Sequence, residues 1–284
     1  MKAEEYIEQF INEAMLGKSP NTIKAYKQSL LKFAEWLEGS GTNLQGYART
    51  DVQQYIAYMQ ANKRAASGVN LELAAIKVFS RYVGKMDAME NLRVIKAEKA
   101  TDKAPKWLER TKVNTILRET DRKSNKRDHA IVQTLLNCGL RVSELVSLDI
   151  ADYEASERKG SIRVVGKGNK ERYIPLNADV RHAINAYLAQ RSDSEVALFL
   201  SAYGKRISVR SVQAMLQQYG VHPHQLRHTF VKRLIDTGAD IPTIQLLTGH
   251  SNAEMVTWYA RPSEDDKRSA IEEAFGNDYK RKVL

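Results

Sequence analysis

The sequence predicts a mainly α protein with one small antiparallel β-sheet, divided into two domains. Apolar residues recur at three- and four-residue spacing through most of the chain, the signature of amphipathic helices. One pair of β-forming segments flanks a Gly-Lys-Gly-Asn-Lys turn, and the apolar pattern lapses once, between residues 85 and 105. A chain of 284 residues is also long enough for two separate cores. The expected division is a helical domain over residues 1–84, a linker over 85–105 and a second domain over 106–284.

Residues 5 to 16 suit a first helix. Ser19-Pro20 then supplies an N-cap and a first-turn proline. Ile23, Tyr26, Leu30, Phe33 and Leu37 follow on one helical face, which ends near Gly39. Thr50 with Gln53 reads as a capping box in front of Val52, Tyr55, Ile56 and Met59. Ser67 is placed to cap a further helix through Leu73, Ile76 and Phe79, closed by Gly84. The first domain is therefore a bundle of about four helices whose aromatics belong to its core. Lys96, Lys99, Lys103 and Pro105 fall in the connector, where a tether lying along phosphate and a plain solvated linker are both open readings.

Helices resume over 109–119 and 125–138. Gly139 breaks the second, and a short helix from Arg141 to Leu148 restarts at once. Ser161–Val165 and Glu171–Leu176 read as the strands of a β-hairpin around Gly166-Lys-Gly-Asn-Lys170. Helical segments return over 178–190 and 208–219, the latter capped by Ser208 and stopped by Gly220.

The hydrophobic share of 43% and the charged share of 27% are those of an ordinary globular protein. A net charge of +10 favours a polyanionic partner, though charge alone does not separate nucleic acid from an anionic membrane. No run approaches the roughly 18 apolar residues a membrane helix needs, and Met1 opens into charged helix, so the expectation is a cytoplasmic protein without a membrane segment. The lone Cys138 fits a reducing compartment and sits with Ile131 and Leu135 on an apolar repeat, as core and not as nucleophile.

The stretch from His222 to Arg261 concentrates the chemistry. Pro223 suits a first helical position and Gly238 the residue just past the helix end. Within that helix His224 and Arg227 lie three apart and project from one face. Gly249-His250 follows, then Ser251 with Glu254 as a capping box for a short helix that delivers Tyr259. Two imidazoles, a guanidinium and a phenol could thus converge on one anion. A rival is a zinc site, since His224 and His228 lie at i, i+4 with His222 and Cys138 in reserve. The glutamate such a motif needs as base is Gln225, and no spaced third ligand is evident. His228 and His222 are otherwise read as structural.

Gly139-Leu-Arg-Val-Ser-Glu-Leu145, the hairpin Gly166–Lys170, His224-x-x-Arg227-His228, Gly249-His250 and Tyr259 occur in one order over nearly the whole chain. In that order they resemble the tyrosine recombinases, or phage integrase family, and the capped helices of the first domain resemble the core-binding domain of its Xer-type members. The resemblance implies a core-binding domain followed by a catalytic domain, acting on double-stranded DNA by strand exchange through a 3′-phosphotyrosyl link. A covalent intermediate conserves the phosphodiester energy, so neither metal nor other cofactor is implied.

By the same resemblance Tyr259 is the nucleophile, and Arg141 and Arg227 clamp the phosphate. Lys167 is the general acid, with Lys170 as its near competitor. His224 is the base or proton carrier, His250 bonds phosphate, and Glu144 supports an arginine. A non-catalytic DNA-binding protein on the same scaffold would need neither Tyr259 nor Lys167. Relatives act as a homo-tetramer on two DNA sites. The terminal segment through Ile271, Ala274 and Phe275, capped by Ser263, would dock on a neighbouring protomer or on its own domain. Thr248 stands where Leu is more usual before Gly-His, which inclines the resemblance towards transposon cointegrate resolvases of the TnpI type. Xer-type dimer resolution and mobile-element integration stay open.

Overall fold

The computed structural model describes residues 2–94, 106–122, 125–166, 170–249 and 253–259, together with Arg268, Ile271, Glu272 and Ala274. The chain forms two compact units, Met1–Asp102 and Lys103–Leu284. Among the described residues no helix is long and apolar enough to cross a membrane.

The first unit is built from α1 (Ala3–Ala14), α2 (Pro20–Gly39), α3 (Arg49–Ala61) and α4 (Ala66–Tyr82). Ser19 caps α2 as expected, its side chain accepting from the Thr22 N–H, and Pro20 occupies the first turn. Two caps differ from expectation. The turn before α3 starts at Ala48, whose N–H donates to the Asp51 carboxylate at 2.7 Å, so Thr50 lies inside the helix. Ser67 likewise lies inside α4, which begins from Ala65 without a side-chain cap. An acceptor placed three residues on satisfies a helix-start N–H as well as a capping hydroxyl does, and hydrophobic packing fixes the rest.

Phe10, Phe33, Tyr47, Tyr55 and Phe79 are buried in this unit's core, as read. A 3-10 turn, Met86–Met89, follows α4. Arg49 Nε and Nη2 hold its exit by donating to the Glu90 and Asn91 carbonyls, each at 2.9 Å. Residues up to Val94 therefore pack on this core, and 95–105 of the expected linker lie outside the described residues.

The second unit contains α5 (Arg110–Arg122), α6 (Lys126–Cys138), α7 (Val142–Ser147), β1 (Tyr153–Ala155), β2 (Gly160–Val165), β3 (Glu171–Pro175) and α8 (Ala178–Leu188). It continues with α9 (Val209–Gln217), α10 (Pro223–Asp236), α11 (Ile241–Thr248) and α12 (Glu254–Thr257). The sheet is antiparallel in the order β1-β2-β3, with Ile162 opposite Ile174. Ile162, Val164 and Ile174 face inward. The hairpin was legible; β1 was not, because Tyr-Glu-Ala carries no alternation.

Nearly every residue from Ala130 to Cys138 is buried, so α6 runs through the middle of this core and packs on α5, α8 and α10. Burial pushes the Cys138 thiol up to about 12, which leaves it an inert core residue.

At the end of α6, Gly139 has φ 60°, in the left-handed region. A Cβ there would stand 2.2 Å from Phe230 Cδ1. Both constraints reserve the position for glycine. Gly139→Ala is expected to destabilise the second unit by roughly 2–5 kcal/mol, the sum of left-handed strain and overpacking. An unchanged urea transition would contradict this.

Candidate active site

Gly139 matters because of where it sends the chain. The turn places Arg141 at the N-cap of α7 and leaves the Gly139 carbonyl free to accept from a side chain. That side chain is Arg227, whose Nη1 donates to Gly139 O at 2.5 Å and whose Nη2 donates to Thr248 O at 2.7 Å. Arg227 thus ties the last turns of α6 and α11 to α10. Helix C-terminal carbonyls carry partial negative charge, so a buried guanidinium is well matched to two of them. Arg227 is only 4% exposed. Burial, then the nearby Arg141, draws its pKa down to about 10, which still leaves it cationic at neutral pH.

Glu144 is buried and joins two arginines. Its carboxylate accepts from the Arg141 N–H at 2.8 Å and from Arg141 Nη1 at 3.0 Å. It also accepts from Arg172 Nη1 at 3.2 Å and Nη2 at 2.8 Å. Burial pushes the Glu144 carboxyl upward, but the bonds from Arg172 and Arg141 outweigh it and hold the group below the ordinary carboxylate range. Arg172, on β3, also donates from Nε to Leu247 O at 3.0 Å. It lies against Gly249, where a Cβ would meet its Nη1 at 3.1 Å and where φ is 67°.

Sequence reading did not single out Arg172. Its partners lie 28 and 75 residues away, beyond any periodic signal. Beside it runs an open groove of about 1100 Å³ whose lining includes Arg141, Lys170, Arg172, Leu246 and Gly249.

Tyr259 arrives at this cluster on the residues after α12, buried with Phe230, Val231, Ile244 and Val256. Its hydroxyl hydrogen-bonds His228 Nδ1. Burial raises the phenol to about 12, with Arg227 pulling the other way. His228 is pushed down to about 4 by burial, then by His224 and Arg227. At neutral pH the phenol is therefore the donor and the imidazole the acceptor, which puts the ring proton on Nε2. The Trp258 ring stands edge-on to His228 at 6.0 Å. His224 lies one helical turn away, its ring centroid 6.2 Å from that of His228, and burial, Arg227 and Arg141 lower its pKa as well.

Arg141, Glu144, His224, Arg227 and Tyr259 thus come together, joined by Arg172 and His228. Lys167, His250 and the Ser251 cap lie outside the described residues, as do Ser263 and Phe275. Among the described residues no group of three or more His, Cys, Asp or Glu is placed to hold a metal. The Arg141 and Arg172 guanidinium groups line the groove, and the buried Arg227 lies behind them with a phenol bonded to a neutral imidazole nearby, a concentration of positive charge suited to an anion.

Residues 106–266 match the phage integrase family, and residues 4–85 match the phage integrase N-terminal SAM-like domain. The chain belongs to the phage integrase family. Within it the likeness is to Xer proteins. The chain is 34% identical over 281 residues to the tyrosine recombinase XerA of Thermococcus kodakarensis, covering 95% of both. It is 32% identical over 250 residues to the tyrosine recombinase XerC of Actinobacillus pleuropneumoniae serotype 7, covering 82% of this chain and 81% of that one. It is accordingly a tyrosine site-specific DNA recombinase of the Xer type.

Among solved structures, that of XerA recombinase aligns at 25% identity with a TM-score of 0.53, over 95% of this chain and 98% of that one. The Tn1549 transposon integrase in complex with transposon right end DNA shares the fold at a TM-score of 0.75 and 19% identity, over 96% and 99% of the two chains.

Proposed function

We propose that Tyr259 attacks a scissile phosphodiester in duplex DNA. Its Oη bonds to phosphorus, the bond to the 5′-oxygen breaks, and the broken strand is left as a 3′-phosphotyrosyl ester with a free 5′-hydroxyl. A 5′-hydroxyl from a second duplex then reverses the step, and the link's energy is kept without metal or other cofactor. The observation that supports this reading is that α10 carries both Arg227, whose charge is felt by Arg141, and the imidazole bonded to Tyr259. One helix would then hold the bound phosphate and the attacking phenol in common register.

Arg141 and Arg227 neutralise the nonbridging oxygens, where charge grows in the transition state. Glu144 orients Arg141, His224 carries protons beside the phosphate, and His250 bonds a phosphate oxygen. Lys167 protonates the departing 5′-oxygen. Lys167→Ala is expected to slow cleavage by roughly 10²–10⁴-fold on a normal substrate, the span general acids supply. On a 5′-bridging phosphorothiolate, whose thiolate leaves unprotonated, the loss should be far smaller. Equal losses on both substrates would transfer the acid role elsewhere.

The biological reaction we assign is resolution between two directly repeated sites, performed in the cytoplasm by four copies on two duplexes. That chemistry is common to transposon cointegrates, the reading Thr248 favours, and to dimer resolution, the reading that goes with a likeness to the tyrosine recombinases XerC and XerA over most of the chain. A supercoiled plasmid carrying two direct repeats of a duplex site that this protein cleaves should yield two smaller circles. A site that is cleaved yet gives no circles would remove resolution as the reaction.

A further inference from the structure

We propose that His228 is the catalytic residue that takes the proton from Tyr259 as the phenol attacks, a role distinct from that of His224. The inference rests on Tyr259 being the nucleophile. It starts from contact: the Tyr259 hydroxyl is bonded to His228 Nδ1, and a proton acceptor must be within hydrogen-bond reach of the proton it removes. His224, on the same helix, is one turn away from that acceptor.

The surroundings make His228 a fixed and neutral base. Trp258 packs edge-on against its ring, and the Tyr259 ring lies 5.4 Å away by centroid. The titratable and charged groups that face it are His224 and Arg227 from its own helix and Tyr259 from the segment after α12. Both neighbours on α10 disfavour a protonated ring, so the imidazole stands ready to accept. In the free protein the transfer is uphill, because the phenol holds its proton tightly and the imidazole takes one weakly. A bound phosphodiester changes that balance. Its negative charge offsets Arg227 and strengthens His228 as a base. Although the same charge holds the phenol proton more tightly, that proton becomes acidic as Oη bonds to phosphorus, so transfer accompanies bond formation.

The step then balances: the Oη–P bond forms as the Oη proton moves to Nδ1, and the P–O5′ bond breaks with the leaving oxygen taking a proton from the general acid. In rejoining, His228 returns its proton to Oη as the tyrosine departs.

The test uses the full-length protein on a 5′-bridging phosphorothiolate duplex, so that leaving-group protonation does not limit the rate. His228→Asn keeps a neutral acceptor in the place of Nδ1 and removes the basicity; His228→Ala removes both. Both variants are expected to bind DNA within a few fold of wild type and to form the covalent complex at least roughly 100-fold more slowly at pH 7. Between pH 6 and 9 wild-type capture should be level, whereas the variants should climb with hydroxide as they come to depend on ionised phenol. Added imidazole should restore part of the rate of His228→Ala. Should that variant not fold, the pH profile of His228→Asn decides alone. Wild-type rates in His228→Asn would overturn the inference, as would a slow variant with a level pH profile and no response to imidazole. If Tyr259→Phe has lost capture in the same assay, such a result leaves the nucleophile reading intact; if Tyr259→Phe still captures DNA, both fall.

Discussion

Tyr259→Phe should abolish covalent attachment to DNA, by at least about 10⁴-fold, while DNA affinity stays within a few fold of wild type. The substitution removes one oxygen and nothing else from the side chain. Its ring stays packed on Phe230, Val231, Ile244 and Val256, so the segment after α12 keeps its anchorage. The lost hydrogen bond leaves the half-buried His228 without its phenol partner, at a cost of about 1 kcal/mol. Affinity is set elsewhere, by phosphate neutralisation from a chain of net charge +10. The two quantities therefore separate. A suicide duplex with a nick near the scissile bond traps the wild-type protein as an SDS-resistant band, and a gel shift on intact duplex reports binding. A Phe variant that still forms the band would remove Tyr259 as the nucleophile.

The same helix shows how far the sequence could be read. Pro223 and Gly238 bracket α10 as their chemistry predicts, and Ser19, Asn125 and Ser208 cap the helices they precede. These are local signals, each decided within four residues. The hairpin was legible for the same reason. Arg172 was not, because what distinguishes it is contact with Glu144 on α7 and Leu247 on α11, and periodicity says nothing of distant partners. His228 is an intermediate case. Its spacing of four from His224 was visible, and so was the shared face, but only the return of the chain through α11 and α12 supplies the phenol that gives it a task. The role of Gly139 is split in the same way. A helix break was evident in the sequence, whereas the Phe230 ring that excludes any side chain there lies 91 residues on.

Removing the carboxylate of Glu144 should damage both the fold and the reaction. Glu144→Ala leaves Arg172 nearly buried, its guanidinium holding only the Leu247 carbonyl among the contacts described above. Breaking a buried ion pair from one side costs about 3–5 kcal/mol, and the lower end applies because Arg141 is 39% exposed and can turn to water. Glu144→Gln keeps the shape and some of the hydrogen bonds, so its cost should be roughly half as large.

In both variants Arg141 loses the group that aims it, and cleavage should slow by roughly 10²-fold, the scale of a small misplacement at a reacting centre. The charge origin of the effect can be isolated by pH. The Glu144 carboxyl titrates lower in the folded protein than when unfolded, so its ionised form stabilises the fold fully above the ordinary carboxylate range of about 4–5. That contribution is lost as pH falls through the folded value, because protons then bind more readily to the unfolded chain first and to Glu144 in place last. Glutamine has no proton to gain. The stability gap between wild type and Glu144→Gln, read from urea midpoints, should be constant between pH 8 and 6 and should narrow progressively below about pH 4.5. A gap that stays level into acid would assign the loss to shape and hydrogen bonding, and the carboxylate's charge would then have no part in holding the two arginines.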